Sequence, residues 1–565
     1  MSGLNLLVFR GDQRHVSGQE LKATLTAQLE QLGGQCSHAA FLGALLLAGE
    51  LECGVADLDC EAACSFEFLT DRIADALLQD EPGAHFHKPD FHSLIFHSLT
   101  NAARALPAFE QLSISTPEGF AYYALHPLAY ADIVREIPAV ESLLVVGIRS
   151  IGTTLSAVAA AAARARGIKV ERITVRPEGH PYNRNAEFTS EQLAAIRKAV
   201  SCGANFAVVD EGPGLSGSSF LAVAEALERA GAPTEKILLV SSHAPNVDAL
   251  CATDAARRWQ RFRCVSVAAE VRRPTQAMEF IGGGQWRSRL IANESQWPAS
   301  WTSFERLKYL SSTERDERRL FKFAGLGHYG DVVFERERKV AAAGFGPMPC
   351  AESDGFVSYP WVSYPQSFYP EINGRPLSAS DLSSDILARV AEYCAFRLRA
   401  FGVGLSDINA LQQMADHNLR ELGLDLSVEL CLECPVIADG RMQQHEWLLS
   451  KDGKLLKTDS GSHGDDHFFP GPTDIAWDLA GAIVEWQMNE EQTTEFLDRY
   501  CRASGDDASA RIDGFIKAYA VFRLAYCLMA ANAVNGSDEQ PRLQRAVASY
   551  RAVLTHMQAR SLSAV

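Results

Sequence analysis

The sequence predicts an α/β domain built on a doubly wound parallel sheet, preceded by a helical region and followed by an α+β domain. Three observations predict this order. Apolar residues recur at helical spacing within residues 17–80, short apolar strands alternate with helices over residues 142–241, and glycine-bearing strand patterns replace that alternation after about residue 270. We therefore expect three parts, with boundaries at residues 1–115, 116–270 and 271–565.

The first part reads as a set of packed helices. Leu21, Leu25, Leu29 and Leu32 recur at the spacing of one helix face, and the apolar run from Phe41 to Gly49 indicates a second helix. That run is the longest in the chain, and it is too short to cross a bilayer. We therefore expect no membrane partner.

The middle part carries the strand–helix alternation. The predicted strands are residues 142–146, 170–175, 206–209 and 236–241. The predicted helices are residues 155–166, 191–200 and 218–230. Continuous apolar strands separated by helices of this length pair in parallel, with helices covering both faces of the sheet. Ligands of such sheets bind where the loops open at the carboxyl ends of the strands.

The last part has a different pattern. Hairpin-like strands are predicted over residues 278–293 and 318–324, a charged helix near Glu335, and another strand over residues 355–362. The final 180 residues or so read as mostly helical. A small sheet followed by a helical lobe is an α+β arrangement.

The amino-acid composition and net charge limit the kinds of molecule that this protein can bind. The chain has 565 residues, with 53 Lys and Arg against 70 Asp and Glu, which gives a net charge of −17. So acidic a protein repels phosphate backbones and anionic lipid, which excludes nucleic acid as the main partner. Thirteen cysteines without framework spacing, and an N-terminus without a cleavable signal pattern, predict a reduced, cytoplasmic location. The sequence leaves a homo-oligomer open.

The most informative segment is an acidic pair followed by a glycine-serine loop. Asp210 and Glu211 end the predicted strand 206–209, and the loop then opens the next helix. Backbone N–H groups of residues 215–219, helped by the helix dipole, can cradle a phosphate. The two carboxylates would repel the same phosphate, so we expect them to accept hydrogen bonds from ribose hydroxyls or to hold a cation.

This segment resembles the substrate-binding motif of the type I phosphoribosyltransferases, over about residues 120–250. The resemblance implies phosphoribosyl pyrophosphate as substrate, Mg²⁺ as cofactor, catalytic roles for Asp210 and Glu211, and Asp210 as a metal ligand. The loop has serine where the family often has threonine, and it is one residue longer. The substrate-binding residues implied here are Gly214, Leu215, Ser216, Gly217, Ser218 and Ser219.

Two further loops support this resemblance. The loop after the first strand, residues 147–154, stands where the family binds pyrophosphate, and Arg149 would clamp the leaving diphosphate. Its other implied substrate contacts are Ser150, Gly152 and Thr153. Residues 176–184 form a Gly/Pro-rich loop that would close over the substrate and bring Arg176 and Arg184 to it.

The last part shows a second pattern. Gly282, Gly283 and Gly284 lie between strand-like flanks, as a loop over nucleotide phosphates would. Lys322 falls in a short strand and Glu335 or Glu337 on the following helix, an order that fixes the α- and β-phosphates in kinases. With Asp459 after a later strand as a metal ligand, residues 275–565 resemble the aminoglycoside-phosphotransferase and choline-kinase branch of the protein-kinase-like fold. ATP is the nucleotide this implies.

The expected catalytic loop of that family departs from its pattern at residues 439–446. One register places Arg441 where the base should be and Glu446 where an asparagine should be. The other makes Asp439 the catalytic acid and His445 a metal ligand beside Asp459. The phosphoryl-transfer machinery is therefore altered, or the domain binds a nucleotide without transferring phosphate.

Together these patterns predict Mg²⁺-dependent transfer of a phosphoribosyl group from phosphoribosyl pyrophosphate to a small-molecule acceptor that the sequence does not identify. Two alternatives stay open. One is a phosphotransferase that acts on a nucleotide-like metabolite, and the other is a sensor that binds phosphoribosyl pyrophosphate or ATP without chemistry. ATP consumption that depends on Lys322 and Asp459 and survives loss of Asp210 would favour the phosphotransferase.

Overall fold

The computed structural model describes most of the chain. The described residues are 4–11, 13–32, 38–79, 89–136, 140–266, 271–291, 293–311, 318–361, 382–405, 407–449 and 453–563. The prediction for the strand end at residue 362 lies outside them.

The N-terminal part is helical, as the sequence predicts. Its elements are β1 (Gln13–Val16), α1 (Gly18–Leu32), α2 (His38–Leu58), α3 (Cys60–Gln79), α4 (Pro89–Ala105) and β2 (Leu112–Ser115). Strand β1 pairs antiparallel with β2. Helix α2 extends beyond the apolar run and, by length and hydropathy alone, could cross a membrane, but 89% of its most apolar stretch is buried within the protein.

The middle part is a doubly wound α/β domain. Its first elements are α5 (Glu118–Ala121), α6 (Ala129–Glu136), β3 (Ser142–Ile148), α7 (Ile151–Ala165), β4 (Lys169–Val175), β5 (Glu178–His180) and β6 (Asn183–Asn185). The remaining elements are α8 (Ser190–Ser201), β7 (Asn205–Val209), α9 (Ser218–Arg229), β8 (Ile237–Ser241), α10 (Ala255–Trp259) and β9 (Arg263–Ser266). The strands of a five-stranded sheet follow the order β4-β3-β7-β8-β9, and each pair of neighbouring strands is parallel.

Alternate residues of each strand face different cores, which is why both faces of the sheet are covered. Val145 and Val209 pack with α7 and the N-terminal helices, whereas Val146 and Val208 pack with α8, α9 and α10. The N-terminal helices are thus a further layer on this sheet. Arg172 of β4 fixes them there, because its guanidinium donates to both carboxylate oxygens of Glu52 at 2.8 and 2.9 Å.

The C-terminal part is α+β, in the predicted order of sheet and then helices. The sheet region comprises β10 (Glu279–Phe280), α11 (Arg287–Leu290), β11 (Lys308–Leu310), β12 (Arg319–Phe323), α12 (His328–Ala342), β13 (Cys350–Ala351) and β14 (Phe356–Pro360). Its antiparallel order is β10-β11-β12-β14-β13. The hairpin predicted over 278–293 is shorter than expected, because turns and α11 follow β10 at once.

The helical lobe completes the chain. Its elements are α13 (Ser384–Ala400), α14 (Asn409–Glu421), β15 (Pro435–Val436), β16 (Trp447–Leu449), β17 (Leu455–Lys457), β18 (Thr473–Asp474), α15 (Ala476–Glu485), α16 (Glu490–Ser504), α17 (Ile512–Ala533) and α18 (Glu539–Ser563). Helix α17 also has the length and hydropathy of a membrane span, and 72% of that stretch is buried in the lobe. The interface between sheet and lobe is where the larger cavity of the molecule lies.

Candidate functional site

The larger described cavity has a volume of about 190 Å³, and we call it the C-terminal cavity. Its walls combine aromatic side chains with charged ones. The aromatic lining residues are Trp286, Trp301, Phe304, Tyr359, Trp361 and Tyr526. The charged ones are Glu305, Arg306, Lys308, Lys322, Glu337, Arg441, Glu446, Asp459 and Arg523. A cleft with apolar walls and converging charges is the usual form of a small-molecule site.

Lys322 and Asp459 meet in this cavity. The Lys322 ammonium forms an ion pair with the Asp459 carboxylate and donates to the Ser462 hydroxyl at 3.0 Å. Burial, and the neighbouring cations Lys308 and Arg306, lower the pKa of Lys322. Asp459 has a φ of +59°, a backbone conformation that non-glycine residues rarely adopt, so the surrounding fold holds this carboxylate in a strained position.

Glu337, rather than Glu335, faces the cavity. Glu337 is buried, and its carboxylate accepts from the Ser460 hydroxyl at 2.9 Å and from the Gly461 N–H at 2.8 Å. Glu335 is exposed and pairs with Arg338 one turn further along α12. Two residues advance a helix by about 200°, so the two glutamates cannot share a face. Glu335 therefore does not lie at the predicted nucleotide site. Glu337 instead contacts the loop that follows Asp459.

The three glycines predicted to cover a nucleotide lie outside the lining of the C-terminal cavity. Gly282, Gly283 and Gly284 form the turn between β10 and α11, and the cavity is lined by Ile281 and Trp286 on either side of them. The Gly284 N–H already donates to the Glu305 carboxylate. In this conformation that amide is occupied within the protein.

Asp439 is buried away from the cavity. Its carboxylate accepts from the Tyr393 hydroxyl and lies 3.2 Å from the Lys457 ammonium and 3.6 Å from the Arg397 guanidinium. Its side chain has 0% exposure. A carboxylate enclosed in this way has no route to a substrate hydroxyl, so the structure departs from the catalytic role predicted for Asp439.

The residues of the other predicted register lie at the cavity. Arg441 and Glu446 both line the C-terminal cavity, as does Asp459. Lys457 lies 3.1 Å from Glu446 and is the main favourable charge that lowers the pKa of this buried carboxyl to about 2, against the opposing effect of burial. Glu446 is therefore an anion at neutral pH.

His445 lines the cavity but stacks on Trp286, with ring centroids 5.7 Å apart. The imidazole beside Asp459 is that of His463, whose Nε2 lies 3.6 Å from the carboxylate. Burial lowers the pKa of both histidines to about 4, so both are neutral at pH 7. No group of three or more Asp, Glu, His or Cys side chains is arranged around a metal position in the described chain.

A second candidate site lies at the carboxyl ends of β3 and β7, and we call it the strand-end site. These strands are neighbours at the point where the strand order reverses, which is where open α/β sheets bind ligands. Ser150 has a φ of +109°, a strained conformation for serine. A side chain at Gly152 would come within 2.6 Å of the Val209 carbonyl, so only glycine lets the two loops approach this closely. Thr153, next to it, is fully buried in α7.

Asp210 and Glu211 meet at this site, but each already has a partner. Asp210 Oδ1 accepts from the Glu211 N–H at 2.9 Å, and Glu211 Oε2 accepts from the Gly119 N–H at 3.2 Å. The two side chains keep partial solvent exposure, yet protein atoms surround them. Desolvation raises the pKa of each to about 7.

The loop over 176–184 closes onto the serine loop. Residues of β5 and β6 form a hairpin, and its tip carbonyl, Pro181 O, accepts from the Ser218 hydroxyl at 2.5 Å. Arg184 donates to the Pro177 carbonyl at 3.0 Å, which ties the two strands of the hairpin together. Ser216 bonds Ser218 within the loop, Ser219 is half-buried, Gly217 is buried, and Gly214 and Leu215 are exposed.

Both arginines predicted to bind anions are paired with Asp57 at the end of α2. Arg149 lies 3.1 Å from Asp57 Oδ1, and Arg176 contacts the same carboxylate at 2.5 Å. Sequence reasoning missed Asp57, since nothing in the pattern of α2 shows that it reaches a loop about ninety residues later. A diphosphate would have to displace this carboxylate to reach the two guanidiniums.

The comparisons with known proteins find a likeness only among solved structures. No family model matches the chain, and no curated protein matches it. A choline/ethanolamine kinase family protein from Mesorhizobium loti is 15% identical over 48% of this chain and 96% of its own, with a TM-score of 0.31. An aminoglycoside phosphotransferase from Alicyclobacillus acidocaldarius is 13% identical over 45% and 90%, with a TM-score of 0.30. Choline kinase from Streptococcus pneumoniae is 14% identical over 43% and 89%, with a TM-score of 0.29.

Proposed function

We propose that the C-terminal cavity binds a nucleoside triphosphate and that the protein transfers its terminal phosphoryl group to a small molecule. The observation that carries this proposal is the contact of buried Lys322 with Asp459, backed by Glu337 on α12. A lysine on a sheet strand, a glutamate on the following helix and an aspartate after a later strand are the groups that hold phosphates and metal in kinase-like enzymes.

The residues present fit Mg²⁺. Glu446 and Asp459 supply two carboxylates to the same cavity, and Mg²⁺ in phosphotransferases is held by one or two carboxylates together with substrate phosphates and water. When bound, the ion neutralises charge on the phosphates. Lys322, released from Asp459, would then donate to the α- and β-phosphates, and the apolar walls near Leu320 and Tyr359 would exclude water from the base.

Replacing Lys322 with methionine should abolish nucleotide turnover. The full-length protein is incubated with ATP, MgCl₂ and a small-metabolite extract, and ADP formation is followed by chromatography. We expect a loss of about 10²–10³-fold, because a preorganised charge on the transferring phosphates is removed. Asp459→Asn should lose turnover similarly, and Arg338→Met, which removes an exposed charge on α12, serves as the matched control.

The outcomes separate the alternatives. Nucleotide binding by titration calorimetry without ADP formation in any extract would support the sensor. ADP formation that persists in Lys322→Met would refute the proposed site. Turnover that survives Asp210→Asn combined with Glu211→Gln places the chemistry in the C-terminal cavity alone.

Phosphoribosyl transfer at the strand-end site is a second candidate function. Strained Ser150 beside the acidic pair, at the point where strand order reverses, favours it. Against it stand the occupied partners of Glu211 and the pairing of both arginines with Asp57. The site would have to open before a sugar diphosphate could enter.

Diphosphate release tests this candidate. The protein is supplied with phosphoribosyl pyrophosphate, Mg²⁺ and the same extract, and diphosphate is assayed with and without Asp210→Asn plus Glu211→Gln. We expect at least about a 100-fold loss in the double variant if these groups contact the ribosyl centre. Release at the wild-type rate in that variant would remove phosphoribosyl transfer from this site.

A further inference from the structure

Arg441 is a half-buried cation that forms no ion pair within 4 Å among the described residues. Its guanidinium lies 5.6 Å from the ring centroid of Tyr526, in the wall of the C-terminal cavity. It keeps partial exposure, and no carboxylate oxygen of the described residues comes within 4 Å of its nitrogens. Burial opposes the charge of Arg441, but the Tyr526 hydroxyl and the more distant carboxylates of Asp466 and Glu446 raise its pKa. A guanidinium that lines a cavity without a direct ion pair can bind an anion there.

The other cations of the cavity are already satisfied. Lys308 pairs with Glu305 at 2.7 Å, Lys322 pairs with Asp459, and Arg523 lies 3.4 Å from Glu485. Arg306 donates to three backbone carbonyls, those of Ala121, Ala324 and Ser462. Arg441 is thus the cavity cation, among the described residues, whose guanidinium is left for a bound anion.

The surroundings of Arg441 agree with an anion site. The two carboxylates that act on Arg441 each have another partner: Asp466 lies 3.2 Å from His463 Nδ1, and Glu446 lies 3.1 Å from Lys457 Nζ.

In one of the two predicted registers, Arg441 also stands where the phosphotransferases that the sequence resembles have a carboxylate base. A base is needed when the acceptor is a hydroxyl, since its proton has to leave as the new bond forms. A carboxylate or a phosphate monoester carries no proton on its attacking oxygen at neutral pH. An acceptor of this class needs no base, and a guanidinium can bind its negative charge.

We propose that the acceptor of the C-terminal cavity is an oxyanion, a carboxylate or a phosphate monoester, and that Arg441 binds it. This inference builds on the proposed function. An acceptor oxygen forms a bond to the γ-phosphorus, the bond from that phosphorus to the β,γ-bridging oxygen breaks, and its electron pair leaves with the nucleoside diphosphate. No proton is released, and the product is an acyl phosphate from a carboxylate or a diphosphate from a phosphate monoester.

Titration of small ions against the full-length protein tests this. Saturating MgADP fills the nucleotide subsite, and inorganic phosphate, acetate or tetramethylammonium is then added while tryptophan fluorescence is followed, since Trp286 and Trp301 line the cavity. We expect phosphate or acetate to bind and tetramethylammonium not to bind; which anion binds identifies the acceptor class. Arg441→Met should weaken anion binding by about tenfold or more, the usual value of a charge-assisted hydrogen bond, and Arg441→Lys should restore part of it.

Controls keep the result decisive. Arg441→Met should retain the MgADP affinity and a melting temperature close to that of the wild type, because the half-exposed guanidinium forms no direct ion pair. Arg258→Met, which removes a cation paired with Glu225 in the α/β domain, should leave anion binding unchanged. Anion binding that is unaffected in Arg441→Met, or is lost instead in Ser218→Ala, overturns the inference, as does preference for tetramethylammonium.

Failure of MgADP to bind the wild-type protein would refute the proposed function instead. The same titration of phosphate and acetate on the nucleotide-free protein then still decides whether Arg441 binds an oxyanion. Equal binding by wild type and Arg441→Met in that experiment would overturn this inference as well.

Discussion

Replacing Arg397 with methionine should lower the free energy of unfolding by about 3–5 kcal/mol, the usual cost of removing one partner from a buried ion cluster. The Arg397 guanidinium lies 3.6 Å from both Asp439 and Asp478, and it donates to the Ser460 and Ile437 carbonyls at 2.8 and 2.7 Å. Methionine matches the length of the side chain but leaves the acids with less charge compensation and both carbonyls without a donor. Urea unfolding of the wild type and the variant measures the difference.

The ion pair of Arg338 with Glu335 provides the control, because it is fully exposed on α12. Arg338→Met should leave the unfolding midpoint unchanged. A loss below about 1 kcal/mol in Arg397→Met would mean that water or a rearranged side chain replaces the guanidinium, and that the cluster around Asp439 does not rigidly support the segment 439–446.

This cluster accounts for the different surroundings of Asp439 and Glu446, the acids of the two registers predicted for residues 439–446. Asp439 and Glu446 are both acids on the same short segment, and sequence alone does not distinguish a buried structural acid from one that lines a cavity. The distinction comes from Lys457, which lies on β17 and contacts both carboxylates. That lysine reaches residues 439–446 only because β16 and β17 pair in the folded protein.

Helical periodicity distinguishes the two glutamates of α12. Val333, Glu337 and Val340 follow one face of α12 at spacings of four and three, and all three are buried. Glu335 stands between Phe334 and Arg336, is itself exposed, and lies on another face. This spacing favours Glu337 over Glu335 as the buried residue.

The parallel sheet was predictable for a simple reason. Each strand of the middle domain is a continuous apolar run, since helices cover both faces, and each helix is long enough for a crossover connection. The closure of the strand-end site was not predictable, because Asp57 and Gly119 reach it from the N-terminal helices and from the segment before β3. Contacts between residues so far apart in the chain produce no periodic pattern in the sequence.

The acidic pair of the strand-end site should make the protein less stable as pH rises from about 4 to about 7. Asp210 and Glu211 have pKa values of about 7 in the folded protein, mainly because of desolvation, and ordinary values near 4 when unfolded. Between these limits the folded state binds more protons than the unfolded state, so the free energy of unfolding falls with increasing pH. The interacting acids titrate as a pair, and their partial exposure limits the loss to an order of 3 kcal/mol.

Asp210→Asn combined with Glu211→Gln isolates this contribution from all other titrating groups. Both amides keep an oxygen that can accept from the N–H groups of Glu211 and Gly119, so the hydrogen bonds survive while the charge is removed. Urea unfolding at pH 5 and pH 7.5 should show the variant gaining stability relative to wild type by about 3 kcal/mol on going to the higher pH. Curves that stay parallel would mean that water already reaches the pair. A loss of stability at neutral pH is what we expect of a binding site, because its charges are compensated only when a ligand is bound.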